Sequence, residues 1–133
     1  RLSYPNPMGA AMKPVLAALL LICAGLPARA EVGDWVLTHV DGAAVGYSAT
    51  LNLSQAGQVT GQAPCNRYFA DVVQDGAAFT LGPIGATKMA CAQMADEADF
   101  FSLLGGVQTI EQTADRLVLR GAGAEMVFVP EPK

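Results

Sequence analysis

The stretch "NRYFADVVQDGAAFTLGPIG" (66–85) decides the fold, because it holds two strand patterns around one turn. Residues 66–74 favour a strand, Asp75-Gly76 is a turn signal, and residues 78–85 favour a second strand. Two strands joined by a tight turn form an antiparallel hairpin. The stretch therefore predicts a sheet whose neighbouring strands run antiparallel.

The rest of the chain after residue 30 mostly continues this period-two alternation. Trp35, Leu37 and His39 are expected on one face of a strand that ends at an Asp41-Gly42 turn. Further strands are predicted at residues 45–54, 58–63 and 107–129, the last as three strands with turns near Ala114-Asp115 and at 121–123. The sequence thus predicts an α+β fold, with a mainly antiparallel, curled sheet of about seven to eight short strands.

One segment changes to the helical period. Apolar side chains recur at helical spacing in residues 92–106, which predicts a helix near 93–105 packed on the sheet. The predicted apolar face consists of Met94, Ala98, Phe101 and Leu104, widened by Phe100 and Leu103. Asp96, Glu97 and Asp99 near the N-terminal end suit the helix dipole, and we expect them to form a solvated cluster.

The N-terminal region has the layout of a secretory signal peptide. Residues 12–30 hold Lys13, the apolar run 15–26, and small residues Ala28 and Ala30 around a cleavage site after Ala30. The run is too short to span a bilayer permanently. Residues 1–11 precede Met12 and are expected to be a non-native or over-extended segment.

Cys23 raises the alternative of a lipid-anchored protein. Ile22 is the wrong residue before a lipidated cysteine, and the site after Ala30 offers a competing cut. We therefore expect a periplasmic or secreted protein whose mature domain covers residues 31–133, with no membrane insertion after cleavage.

Loss of the leader makes the chain strongly acidic. Five Lys/Arg then face twelve Asp/Glu, a net charge of −7. Such a surface offers no footprint for nucleic acid. The predicted partner is an envelope protein or a small ligand, bound by a monomer.

The residue types that carry catalysis or bind metals are sparse. His39 is the single histidine, and Cys65 and Cys91 stand 26 residues apart without a paired-cysteine motif, so no metal or other cofactor is expected. By residue count alone, His39 could activate Cys65 or Cys91 as a nucleophile, but the sequence shows no motif for a third residue that would orient the histidine. We expect no enzyme.

The two mature cysteines favour a disulfide instead. An exported chain enters an oxidising compartment, and an even number of cysteines can pair there. The hypothesis is a Cys65–Cys91 bond, worth about 3.5 kcal/mol in the chain-entropy model.

Three segments carry a family resemblance: "GQAPCNRYFADV" (61–72), "FTLGPIGATKMACAQMADEADFFSLLGGV" (79–107) and "LVLRG" (117–121). They resemble the META domain, also called HslJ-like. The matching positions are Gly61, Cys65, Asn66, Arg67, Tyr68, Ile84, Thr87, Lys88, Met89, Ala90, Cys91, Glu97, Phe101 and Leu104. Gly85 and Lys88 depart mildly from the family pattern.

The resemblance implies a small α+β fold and a role in the bacterial envelope, in stress or antibiotic tolerance, without an enzymatic mechanism. Under it, Asn66 and Thr87 are expected to hold loops, and Tyr68 and Met89 to fill the core. A functional surface around Asn66, Arg67 and Lys88 is the competing interpretation.

The opening "VGDW" (32–35) also resembles the start of lipocalin-like barrels, which include small protease inhibitors. The alternative function is therefore a periplasmic protease inhibitor or ligand carrier. The "GATKMAC" stretch (85–91) and the helix after it favour the META domain.

Overall fold

The computed structural model of the protein describes residues 33–132, so the predictions for the leader and for Cys23 lie outside the described residues. Ten strands and one helix are found there. The strands are β1 (Asp34–Val40), β2 (Ala43–Ala44), β3 (Thr50–Asn52), β4 (Gln58–Gln62), β5 (Arg67–Asp75), β6 (Ala78–Leu81), β7 (Gly85–Ala86), β8 (Val107–Gln112), β9 (Leu117–Gly121) and β10 (Ala124–Pro130); the helix is α1 (Met94–Gly105).

The strands form one antiparallel sheet that closes on itself. Its order is β10-β9-β8-β6-β5-β4-β3-β1, and β10 also pairs with β1. The curled antiparallel sheet predicted from sequence is confirmed in outline. Two junctions are narrow: β3 and β4 share the single pair Asn52–Thr60, and β6 and β8 share Ala78–Thr109.

The number of strands was underestimated. The strand expected at 45–54 is reduced to β3. Residues 45–49 are joined to β1 by two backbone hydrogen bonds, Val45 N–H to the Thr38 carbonyl and Leu37 N–H to the Ala49 carbonyl, and are not part of a strand. The strand expected at 78–85 is divided into β6 and β7. Pro83 lies between them and has no N–H to continue the ladder.

His39 does not share the buried face of Trp35 and Leu37. The register of β1 against β10 shifts between Leu37 and His39, which is the mark of a β-bulge. The extra residue turns His39 outward, where it is exposed and its Nδ1 lies 3.0 Å from the Thr38 hydroxyl. The predicted alternation was therefore wrong by one residue at this end of the strand.

The interior of the closed sheet is filled by large side chains. Trp35, Phe79, Phe100 and Phe128 are fully buried, and Tyr68 is 2% exposed. The Tyr68 ring lies edge-on to Phe100 and Phe101, with ring centroids 5.6 Å apart in both pairs. The helix thus covers the sheet through its aromatic residues, which bury large apolar areas.

The helix lies where it was predicted, but it buries a different face. Glu97, Phe100 and Leu104 are buried, whereas Met94 is 43% exposed and Ala98 is exposed. The expectation that Glu97 is solvated was wrong, because its carboxylate is buried and accepts hydrogen bonds from Cys65 and Asn66. Within residues 33–132, no helix has the length and apolar character needed to cross a membrane.

Candidate functional site

The two cysteines of the motif are joined at the base of the helix. Cys65 lies in the loop before β5, and Cys91 lies in the segment that leads into α1. The structure bonds their sulfur atoms, with a Cα–Cα distance of 5.9 Å across 26 residues of sequence. Cys65 is buried and Cys91 is exposed. Neither sulfur is a free thiol, so the Cys-His nucleophile interpretation has no support here.

The Glu97 carboxylate is hydrogen-bonded to the backbone of Cys65 and is 4% exposed. Its Oε1 accepts the backbone N–H groups of Cys65 at 2.8 Å and Asn66 at 2.7 Å. Its Oε2 accepts the side-chain amide of Asn66 at 2.7 Å. A buried charge is tolerated when hydrogen bonds replace its water, and three of them do so here.

The Asn66 side chain connects Glu97 to the loop after β7. Its Nδ2 donates to the Met89 carbonyl at 3.0 Å as well as to Glu97. Its Oδ1 accepts the Met89 N–H at 2.6 Å and the Thr87 hydroxyl at 2.8 Å. Both amide protons and both acceptor sites of this side chain are therefore used.

Thr87 ties the same loop to β5. Its Oγ1 accepts the Arg67 N–H at 3.2 Å, and its own N–H donates to the Arg67 carbonyl at 3.1 Å. We call the group of Asn66, Thr87, Met89 and Glu97 the clasp. It holds the start of β5, the loop after β7 and the first turns of α1 together.

The clasp also determines the charge state of Glu97. Burial raises the pKa of this carboxyl group, and the hydrogen bonds from the Asn66 side chain and the Cys65 and Asn66 backbone lower it. The hydrogen bonds outweigh the burial, so the pKa lies below its ordinary value. Glu97 is consequently an ionised acceptor near neutral pH and is unsuited to deliver a proton.

Tyr68 is buried on the inner face of β5, as its predicted core role requires. Its hydroxyl donates to the Thr50 carbonyl at 2.6 Å, and burial raises the pKa of the phenol far above its ordinary value. A Cβ at Gly61 would lie 2.2 Å from that same carbonyl oxygen and 2.7 Å from the Tyr68 hydroxyl. Only glycine at 61 leaves room for this hydrogen bond.

The other predicted surface residues separate into two groups. Arg67 and Lys88 are exposed, as a functional surface needs, but Asn66 is only 2% exposed and cannot contribute its side chain. Met89 was expected in the core and is 61% exposed. Its backbone, and not its side chain, is held by the clasp, which explains why the core prediction failed.

A polar depression of about 310 Å³ opens on the outer face of β1, β3, β4 and β5. We call it the outer groove; its lining residues are Asp34, Thr50, Asn52, Thr60, Gly61, Gln62 and Arg67. It follows the narrow junction between β3 and β4, where Thr50 Oγ1 accepts the Gln62 N–H at 3.0 Å. Sequence reasoning singled out Arg67 but missed the groove, since its residues come from four separate strands.

Glu97 is a residue of the clasp whose burial the sequence did not predict. Its spacing to Phe100 and Leu104 follows the helical period, which is a signal for one buried face. Its charge argued for solvent, because carboxylates are rarely buried without partners. Those partners lie 31 residues earlier in the chain, where the helical pattern gives no sign of them.

Among residues 33–132, no group of three or more His, Cys, Asp and Glu side chains could hold a metal ion. What the geometry defines is a small closed sheet with one helix, cross-linked by a disulfide and held by a buried polar clasp. The chain matches the META domain family over residues 28–133 and belongs to that family. A comparison with curated protein sequences gives no match.

Solved structures share the fold. An NMR structure of a protein from Burkholderia xenovorans is 23% identical, covers 77% of this chain and 84% of that chain, and has a TM-score of 0.61. A crystal structure of a DUF4847 family protein from Bacteroides vulgatus is 12% identical, covers 77% of this chain and 94% of that one, and has a TM-score of 0.59. At these identities the similarity shows the fold alone.

Proposed function

We propose that the protein is a non-enzymatic, exported protein of the bacterial envelope, which contributes to envelope maintenance or to stress and antibiotic tolerance by binding another molecule as a monomer. One observation carries this proposal. The side chains of the motif residues Asn66, Thr87 and Glu97 are consumed by hydrogen bonds inside the protein, so they serve as scaffold. Recognition is then left to the solvent-facing side chains beside them.

The bonded cysteines support an extracytoplasmic location. Disulfides persist in the periplasm and outside the cell, and they are rare where glutathione and thioredoxin keep thiols reduced. The Cys65–Cys91 bond cross-links a domain of a size at which one such constraint matters. The signal-peptide layout of residues 12–30 points to the same compartment.

The alternative of a lipocalin-like carrier has less support. Such a carrier holds its ligand inside the sheet, and here the interior is occupied by fully buried side chains such as Trp35 and Phe128. Binding on the outside of the sheet fits the packing better.

A complementation experiment tests the proposal. A deletion strain of the source bacterium is challenged with cell-wall antibiotics and heat, and it is complemented with the full chain or with a chain that lacks residues 1–30. We expect tolerance to return with the exported protein, which should fractionate with the periplasm. Full rescue by the leaderless protein, or recovery of the full chain in the cytoplasm, would contradict the proposal.

A further inference from the structure

The outer groove differs from the clasp in having polar groups that no other part of the described chain uses. The Arg67 guanidinium forms neither an ion pair nor a hydrogen bond with residues 33–132, and the same holds for the Thr60 hydroxyl. Thr50 Oγ1 accepts one hydrogen bond and retains its own proton to donate. The groove therefore presents donors that a ligand can engage.

Acceptors lie beside these donors. Asp34 uses Oδ1 to accept the Asn52 side-chain amide, which leaves its other oxygen open. The Gln62 amide donates to the Ala63 carbonyl at 3.3 Å, so its carbonyl oxygen is open as well. Asn52 is held in place by the Ser54 backbone and hydroxyl, at 2.9 and 2.6 Å. Part of the groove is thus fixed before any ligand arrives, which reduces the entropy cost of binding.

An exposed aromatic side chain lies near Arg67 on β5 but outside the groove lining. Phe69 is two residues from Arg67 on the same face of β5, and it pairs directly with Thr60. Its ring lies over Gly85, where a Cβ would come within 2.5 Å of the ring tip, and the side chain remains 54% exposed. Because Gly85 belongs to β7, on the side of β5 away from β4, the ring leans away from the groove, and the groove itself offers a ligand polar contacts.

From these features we propose that the outer groove binds a short saccharide that carries a carboxylate. Sugar hydroxyls both donate and accept, so they match the open carboxylate and amide oxygens at Asp34 and Gln62 and the open hydroxyls of Thr50 and Thr60. The ligand carboxylate pairs with Arg67 in a bidentate hydrogen-bonded arrangement.

Charge argues for a short ligand over a long polyanion. Residues 33–132 contain eleven Asp/Glu and four Lys/Arg, and Arg67 is the basic residue that lines the groove. A chain of many carboxylates would meet repulsion from the acidic surface, whereas one carboxylate on one sugar can be neutralised by Arg67 alone. The proposal rests on the proposed function, since an exported protein meets the cell wall and acidic polysaccharides.

Binding can be measured by NMR titration of the ¹⁵N-labelled protein purified from the periplasm. Four probes separate the sources: a disaccharide-peptide released from cell wall, di-galacturonate, the neutral disaccharide chitobiose, and the cell-wall peptide without sugar. We expect shifts at the amides of Thr60, Gln62 and Arg67 with one or both acidic saccharides. Chitobiose should bind at least about 10-fold more weakly, since it lacks the charge-assisted hydrogen bonds.

Matched variants identify the groups responsible. Arg67→Ala should weaken acidic saccharide binding at least about 10-fold, whereas Arg116→Ala, another exposed arginine without an ion pair in the described chain, should leave it within about 2-fold. Phe69→Leu, at an exposed ring on the same strand but outside the groove lining, should likewise leave binding unchanged.

Three results would overturn the inference: no groove shift with either acidic saccharide, equal loss in both arginine variants, or equally tight binding of the sugar-free peptide. Each leaves the proposed function intact if the periplasmic protein still restores tolerance. Rescue by the leaderless protein would instead contradict the proposed function itself.

Discussion

The clasp and the outer groove lie on opposite sides of one short piece of chain, and they use polar residues in opposite ways. Asn66 is buried, and every hydrogen-bonding site of its side chain is occupied. Arg67, the next residue, is exposed, and its guanidinium has no partner among the described residues. Adjacent residues in a family motif can thus have separate tasks, because successive side chains at a strand point to opposite faces.

The largest loss of stability is expected when Glu97, the charged residue of the clasp, is replaced. Glu97→Ala removes the acceptor of two backbone N–H groups and of the Asn66 amide, which leaves three buried donors unpaired. We expect the free energy of unfolding to fall by about 4 kcal/mol. Asp99→Ala, an exposed acid on the same helix, is the control and should stay within about 0.5 kcal/mol. Urea unfolding measures both, and a loss in the Glu97 variant no larger than in the control would contradict the role of the clasp.

The second-largest loss of stability is expected when the disulfide beside the clasp is removed. Replacing Cys65 and Cys91 together by serine should lower the free energy of unfolding by about 3.5 kcal/mol, mainly because the unfolded chain regains the freedom that the loop had removed. Thermal unfolding of the oxidised wild type and the double variant gives the comparison. An unchanged midpoint would show that the cross-link adds nothing to the clasp.

Gly61 belongs to the groove side of this comparison: it lines the groove and also leaves room for the Tyr68 hydroxyl to reach the Thr50 carbonyl. Gly61→Ala places a methyl group against backbone oxygen at 2.2 Å, so strands β3 and β4 must separate. We expect a loss of about 3 kcal/mol in unfolding free energy. Gly46→Ala meets no atom within 4 Å and should be nearly neutral. Equal effects of the two substitutions would refute the steric argument.

The stability that the clasp contributes should decrease as the pH falls. The folded pKa of Glu97 lies below its ordinary value of 4.5, so its contribution to stability is complete above that pH and is lost as the pH falls through the folded pKa. One proton of this kind adds a slope of up to about 1.4 kcal/mol per pH unit. Urea unfolding between pH 5 and 3 should show a shallower dependence for Glu97→Gln than for Asp99→Asn. If the unfolding free energies of the two variants depended on pH in the same way, the loss of stability in acid would come from carboxylates other than Glu97.

The sequence predicted the features that depend on local pattern. The hairpin around residues 75–77, the helix near 93–105 and the three strands after residue 107 all follow from residues close in the chain. The closure of β10 on β1 joins residues almost a hundred positions apart, as in the Trp35–Pro130 pair, and no local period encodes it. The sequence pattern alone gives no distance between these strands.

The candidate site was predicted unevenly for the same reason. The cysteine pair followed from counting, and the motif identified Asn66 and Thr87 as residues that hold loops. The burial of Glu97 depends on hydrogen-bond donors elsewhere in the chain. Met89 is held through its backbone carbonyl, so its side chain can remain exposed. The outer groove needs β1, β3, β4 and β5 side by side before its lining residues meet.

The central claim is that Asn66 is scaffold whereas Arg67 is a surface residue, and the unfolding free energies of Asn66→Ala and Arg67→Ala in urea test it most directly. Asn66→Ala should lose about 3 kcal/mol, since it leaves partners on Glu97, Thr87 and Met89 unsatisfied. Arg67→Ala should remain within about 0.5 kcal/mol of the wild type. A small loss in Asn66→Ala, or an equally large loss in Arg67→Ala, would contradict the division between the clasp and the groove.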